Sequence, residues 1–84
     1  MFKVIKKDGT EQDFDRGKIL NGVIKSGGTP ETAEAVAVAV ELWLPEKAAE
    51  EKISYLDLKT KVIETLRSLD PKAADSFEAY TKQT

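Results

Sequence analysis

The apolar positions change period at residue 15. Before it, the β-formers Phe2, Val4 and Ile5 make one arm, and Phe14 closes a second after a polar interval. Asp8-Gly9 stands between the arms. Gly and Asp both tolerate the positive φ that a type I′ turn requires at its two central residues. The pattern predicts a β-hairpin with a two-residue turn and φ > 0 at Gly9. An isolated hairpin is marginal in water, so this one must pack on something. From Asp15 the period is helical. Asp15 is the predicted N-cap, and Ile19, Leu20, Val23 and Ile24 form one stripe. Gly27-Gly28 end this helix, because Gly enters the left-handed C′ conformation without a Cβ penalty. Gly22 costs about 1 kcal/mol inside a helix relative to Ala and is read as a close approach of another backbone.

Thr29 and Pro30 supply the N-cap and first position of a second helix. Ala33, Val36, Ala37, Val40 and Leu44 make its stripe. The run 35–40 is apolar all round, but the Thr-Pro start, the length and the alanines decide for helix over buried strand. Pro45 is expected to stop it, and Lys47 to Lys52 to form a loop or a fraying helical turn. Ser54, with Asp57 three residues on, starts a third helix in the manner of a capping box. Its stripe is Leu58, Val62, Leu66 and Leu69, with Ile63 beside it. Asp70-Pro71 restarts the chain as a fourth helix whose Ala73, Ala74, Phe77 and Tyr80 are expected to face the core. The predicted fold is α+β, mostly α: an N-terminal β-hairpin packed on a four-helix bundle. At 84 residues the chain suits a single domain over 1–84.

Composition narrows the chemistry. With 40% hydrophobic and 33% charged residues, global disorder is not expected. There is no apolar run of about 18 residues to cross a membrane, and the first residues are too charged for a signal peptide. Cysteine and histidine are both absent, which excludes disulfides, zinc ribbons, thiol nucleophiles and Ser-His-Asp triads. A metal would have to be a hard ion such as Mg²⁺, held by carboxylates and ligand oxygens. The composition favours a binding or structural module in the cytoplasm over an enzyme. Neither a Walker glycine loop nor G-x-G-x-x-G occurs. The net charge of −2 argues against a protein held mainly by a nucleic-acid backbone.

The charge is unevenly spread. Residues 1–28 carry six bases against four acids, and the remainder seven against eleven. If the hairpin folds over the start of the first helix, Lys6 or Lys7 could clasp a polyanion together with Lys18, aided by the positive helix end. The alternative is a solvated edge strand blunted by lysines. Asp13 and Asp15 read as a solvated acid and a cap rather than an acid/base pair, and Ser54 and Thr29 as caps rather than nucleophiles. Trp43 and Tyr55 could stack a base; Trp43 reads as core, and Tyr55 as the more open of the two. The apolar surface of the second helix is broader than one core contact needs and is a candidate self-association face, on which Val38, and Trp43 should it not be core, would lie outside the monomer core.

Val4-Ile5-Lys6-Lys7-Asp8-Gly9, then Phe14-Asp15, then Lys18-Ile19, resemble the ATP-cone pattern V-x-K-R-D-G followed by F-D-x-x-K-I. Ile53-Ser54 with Leu58 and Val62 is similar to that family's I-S-x-x-x-I helix, and Ala73 to Tyr80 to its closing aromatic helix. The ATP-cone is a small regulatory nucleotide-binding domain of ribonucleotide reductases and of the repressor of reductase operons. The resemblance implies a hairpin lid over four helices that binds ATP or dATP, with Mg²⁺. By position it implies that Val4 and Ile5 line the nucleotide, that Lys6 and Lys7 meet phosphates, and that Lys18 and Ile19 close the site. It places polar contacts at Gln12, Asp15, Tyr55 and Lys59. Lys7 departs from the family's arginine, keeping the charge but losing the bidentate fork.

The expectation is therefore an ATP- or dATP-binding regulatory module without catalytic activity. It is either free-standing or excised, and the Met1 start and charged tail favour free-standing. Its expected partners are the nucleotide, a ribonucleotide reductase or other regulated protein, and a weak homo-oligomer. Neither membrane nor nucleic acid is expected. The alternative is a degenerate cone that acts as a protein-interaction domain without nucleotide. A helical DNA-binding domain is disfavoured, since no helix carries a dense basic face.

Overall fold

The computed structural model describes residues 2–48 and 50–82. Its three short strands are β1 (Lys3–Ile5), β2 (Glu11–Asp13) and β3 (Lys52–Ser54), and its four helices are α1 (Arg16–Lys25), α2 (Pro30–Lys47), α3 (Tyr55–Leu69) and α4 (Pro71–Lys82). The sheet order is β2-β1-β3. Val4, at its centre, lies opposite Gln12 of antiparallel β2 and Ile53 of parallel β3. This is the α+β, mostly-α architecture expected, a hairpin on four helices, with one strand added.

That strand corrects the reading of the segment before residue 54. Its exposed–buried–exposed pattern spans only three residues, too short an alternation to announce a strand, and its pairing with β1 depends on partners about fifty residues away. The Lys3 N–H also donates to the Glu51 carbonyl at 2.8 Å, which holds the approach to β3 against β1.

The hairpin forms with a different turn. The Lys6 N–H donates to the Thr10 carbonyl at 2.8 Å, and the Gly9 N–H to the Lys6 carbonyl at 3.0 Å. Gly9 has φ +87°, but Asp8 is not in the positive-φ region. This is a three-residue loop, a type I turn followed by a left-handed glycine, rather than a two-residue type I′ turn. Asp8 Oδ1 instead accepts from the N–H and hydroxyl of Thr10 at 3.0 and 2.7 Å.

All four N-caps stand where the sequence placed them. Asp15, Thr29, Ser54 and Asp70 accept from the N–H groups of Gly17, Thr32, Asp57 and Ala73 at 2.8–3.1 Å. α1 ends on two bonds, Gly27 N–H to Ile24 and Gly28 N–H to Val23, with Gly27 at φ +97°. This pair of bonds satisfies orphan carbonyls at the helix end. Pro45 does not stop α2, which runs on to Lys47. Proline loses its own donor and its ring crowds the carbonyl four residues back, but the bonds of its neighbours survive. The Ala48 N–H still reaches the Leu44 carbonyl at 2.8 Å, and Leu44 is anchored in the core.

The buried side chains make one cluster, with Val23, Val36, Val40, Leu44 and Leu66 its largest fully enclosed members. Three expected core residues are exposed: Ile24 (46%), Leu69 (51%) and Tyr80 (53%). Each lies in the last turn of its helix. A stripe is buried only as far as a neighbour faces it, and periodicity does not say where the neighbour ends. Gly22 does mark a close approach, but of a side chain: a Cβ there would lie 2.9 Å from Cε2 of Phe77. Arg16 joins α1 to α2 through Glu34 and Glu41 at 2.7 and 3.1 Å. Arg67 joins α3 to α4 through Asp75 and Glu78 at 2.9 and 3.0 Å.

Candidate functional site

Strand alternation decides which residues of the hairpin look inward. Val4 and Lys6 share a side of β1, and Gln12, opposite Val4, shares it too. Below them opens a cleft of about 300 Å³ between the sheet and helices α1, α3 and α4. Its sheet side is Val4, Lys6, Gln12 and Asp13. Phe14 and Asp15 lead into α1, which adds Lys18 and Ile19. α3 supplies Tyr55, Leu58, Lys59 and Val62, and α4 supplies Phe77. The floor is apolar and the rim is charged.

Eight of the ten expected site residues come together here: Val4, Lys6, Gln12, Asp15, Lys18, Ile19, Tyr55 and Lys59. Ile5 and Lys7 are not in the lining. Ile5 alternates with Val4 along β1 and so faces away from it, and Lys7 lies beyond the strand, in the hairpin loop. Asp13, Phe14, Leu58, Val62 and Phe77 line it without having been expected as site residues. Phe14 reads as a hairpin end and the other three apolar residues as core stripe. A cleft wall and a core wall are the same helix face under different cover, so the stripe alone could not separate them.

The rim cations are the chemically distinctive feature. Lys3, Lys52, Arg16 and Arg67 are each held in ion pairs. Lys6, Lys18 and Lys59 line the cleft and form no ion pair with a carboxylate among the described residues. Lys18 Nζ donates to Gln12 Oε1 at 3.3 Å, which aims it across the cleft mouth. The two rim acids are already engaged. Asp13 accepts from Lys3, which holds its carboxyl below the usual carboxylate range and raises the lysine. Asp15 caps α1. The N-terminal turns of α1 and α3 add partial positive charge. The arrangement can therefore hold an anion at the rim and an apolar or aromatic group on the floor.

Trp43 lies outside the cleft, half-buried, with Lys61 Nζ 5.9 Å from its ring centroid. That ring face is engaged by a cation, and Trp43 is not among the exposed apolar residues, contrary to the expectation for self-association. The exposed large apolar residues of α2 are Val38 and Leu42. Among the described residues no group of three carboxylates could hold a metal ion, and no helix is long and apolar enough to cross a membrane.

A three-stranded sheet thus closes a lysine-rimmed, apolar-floored cleft on a helical bundle. The family model of the ATP cone domain matches residues 2–84, and the chain belongs to that family. It is 34% identical over 83 residues to the transcriptional repressor NrdR of Caldicellulosiruptor bescii, covering 95% of this chain and 54% of the relative. The NrdR of Limosilactobacillus reuteri is 33% identical over 84 residues, with the same coverage. That of Thermosipho melanesiensis is 35% identical over 82 residues, 94% of this chain and 54% of the relative. The chain thus spans about half the length of these curated relatives. Since they are transcriptional repressors, the expectation that nucleic acid is no partner finds no support in them.

Proposed function

We propose that the cleft binds ATP or dATP and that the 1–84 unit acts as a regulatory, not catalytic, nucleotide-sensing module of the cytoplasm. The observation that carries this reading is the convergence of Lys6, Lys18 and Lys59, cations that form no ion pair with a described carboxylate, around an apolar floor. The triphosphate lies at the rim, where charge-assisted hydrogen bonds from lysine are the strong polar contacts. The base lies against Phe14, Tyr55 and Phe77, which offer aromatic surface. Mg²⁺ arrives on the phosphate oxygens, since Asp13 and Asp15 are engaged by Lys3 and by the α1 N-terminus. Regulation follows if a partner, a ribonucleotide reductase or another regulated protein, or a second copy meeting the α2 face, has different affinities for the filled and empty forms.

Calorimetric titration with ATP, dATP, ADP and GTP tests the reading. A well-made charge-assisted hydrogen bond contributes roughly 1.5–3 kcal/mol, so Lys6→Ala and Lys18→Ala are each expected to weaken ATP binding about ten- to a hundredfold. Lys25→Ala and Lys72→Ala, outside the cleft, are expected to change it little. Equal losses in all four variants would mean diffuse attraction without a site. Absence of binding by the intact chain would leave the protein-interaction reading of the cone.

A further inference from the structure

Gly22 and Phe77 meet beneath the cleft. Gly22 lies mid-way along α1, where Ala would favour the helix more. Its carbonyl accepts from the N–H and the hydroxyl of Ser26 at 3.1 and 2.9 Å. Its backbone is ordinary helix, so no positive φ calls for glycine. What calls for it is space. A Cβ on residue 22 would stand 2.9 Å from Cε2 of Phe77 and 3.8 Å from both Cδ2 and Cζ. Real Cβ atoms do not come so near a ring carbon, so one side must shift.

The ring has one open direction. Phe77 is 9% exposed, belongs to the core cluster and is the α4 residue that lines the cleft. Ala73 and Ala74, one turn back on the same helix, are buried, and a close-packed core does not yield by a ring's width. The cleft is where empty volume adjoins the ring. We infer that Gly22 is a positioning residue for the binding cleft: lacking a Cβ, it lets the Phe77 ring lie back against α1 and so sets the depth of the floor on which an aromatic or apolar part of the ligand rests. This inference rests on the nucleotide reading for its ligand, but not for its geometry.

Gly22→Ala is expected to leave the chain folded while pushing Phe77 toward the cleft, and to weaken ATP binding at least fivefold. Phe77→Leu in the same chain, Gly22→Ala/Phe77→Leu, removes the clashing atoms and is expected to bind within twofold of Phe77→Leu alone. A merely structural role for Gly22 would lower the urea midpoint of Gly22→Ala and leave the ATP affinity of the folded protein unchanged. Equal ATP affinity in Gly22→Ala and the parent would overturn the inference, as would a fivefold loss in the double variant relative to Phe77→Leu. Should Gly22→Ala fail to fold, Phe77→Leu alone is the test, and parent-like ATP affinity with the ring floor gone would overturn the inference. Methyl and ring NMR shifts of ligand-free protein separate this inference from the nucleotide reading. Shifts at Ile19 and Val62 in Gly22→Ala relative to the parent, absent when the double variant is compared with Phe77→Leu, uphold the floor geometry even if the parent binds no ATP. Unmoved shifts refute it whatever the parent binds.

Discussion

Glu50 and Glu51 take left-handed φ values of 53° and 63°, while Gly9, the hairpin's glycine, takes 87°. For an L-residue that region costs roughly 1–2 kcal/mol, because Cβ crowds the carbonyl. The chain accepts the cost at Glu50 and Glu51 because the segment must turn from the end of α2 into β3, where Ile53 is buried beside Val4. Glycine at the exposed position 50 relieves the strain and gives back part of the gain through a freer unfolded chain. Glu50→Gly is therefore expected to stabilise the protein by about 0.5–1 kcal/mol. Gly9→Val works in reverse. A Cβ at Gly9 meets nothing within 4 Å, so its expected destabilisation, about 1–2 kcal/mol, is conformational alone. Urea unfolding of both variants checks the pair, and opposite signs are required. Glu50 also shows why part of the molecule was hidden: nothing in a run of Glu and Lys marks a left-handed turn, whereas Asp8-Gly9 marks one by residue type.

At the scale of elements, what could be read from sequence was what rests on neighbours within four residues. The four N-caps and the glycine end of α1 are local chemistry and stand as read. β3 and the far ends of the stripes at Ile24, Leu69 and Tyr80 depend on which distant segment lies alongside, and local pattern carries no such information. The candidate site divides in the same way. Lys6, Gln12 and Lys18 belong to a motif read along the chain, whereas Leu58, Val62 and Phe77 reach the cleft only through tertiary packing. Pro45 belongs to both sides. Proline is a sound stop signal, yet α2 passes through it because Leu44 is buried and the Ala48 N–H finds the Leu44 carbonyl. The helix carries a proline cost of up to about 3 kcal/mol, less toward its end. Pro45→Ala restores a donor to the Glu41 carbonyl and is expected to stabilise by about 1–2 kcal/mol. For a domain of this size that raises the melting temperature by roughly 4–16 °C. A calorimetric scan measures it, and an unchanged or lowered Tm would show that the last turn of α2 needs proline's fixed φ.

For the molecule as a whole, charge governs both association and acid stability. Val38 and Leu42 are exposed on α2 at 41% and 73%, on a helix that also carries Glu31, Glu34, Glu41 and Glu46. Two copies meeting there would bring like charges together, so weak self-association is expected to strengthen with salt, and Leu42→Glu to abolish it. Sedimentation at high concentration, with and without ATP, tests this, and a single monomeric species throughout would refute it. Carboxylates held by ion pairs or hydrogen bonds set the response to acid. Lys3 holds Asp13, the Thr10 hydroxyl holds Asp8 and Arg16 holds Glu34, each carboxyl below its ordinary value. The folded state thus binds these protons less readily than the unfolded chain. Their stabilisation is complete above the ordinary carboxylate range of about 4 and is lost as pH falls through it toward the lowered folded values. With no histidine in the chain, no side chain of ordinary pKa near 6.5 titrates on the way. The urea midpoint is expected to be level from about pH 6 to 8 and to fall below about pH 4.5. Because these pairs are exposed, the fall is shallow and salt reduces it further. Glu34→Gln, remote from the cleft, is expected to lower the midpoint at neutral pH and to flatten the acid slope. A slope identical in the parent and Glu34→Gln would show that the Arg16 pair contributes nothing to acid sensitivity, leaving Asp8 and Asp13 to account for it.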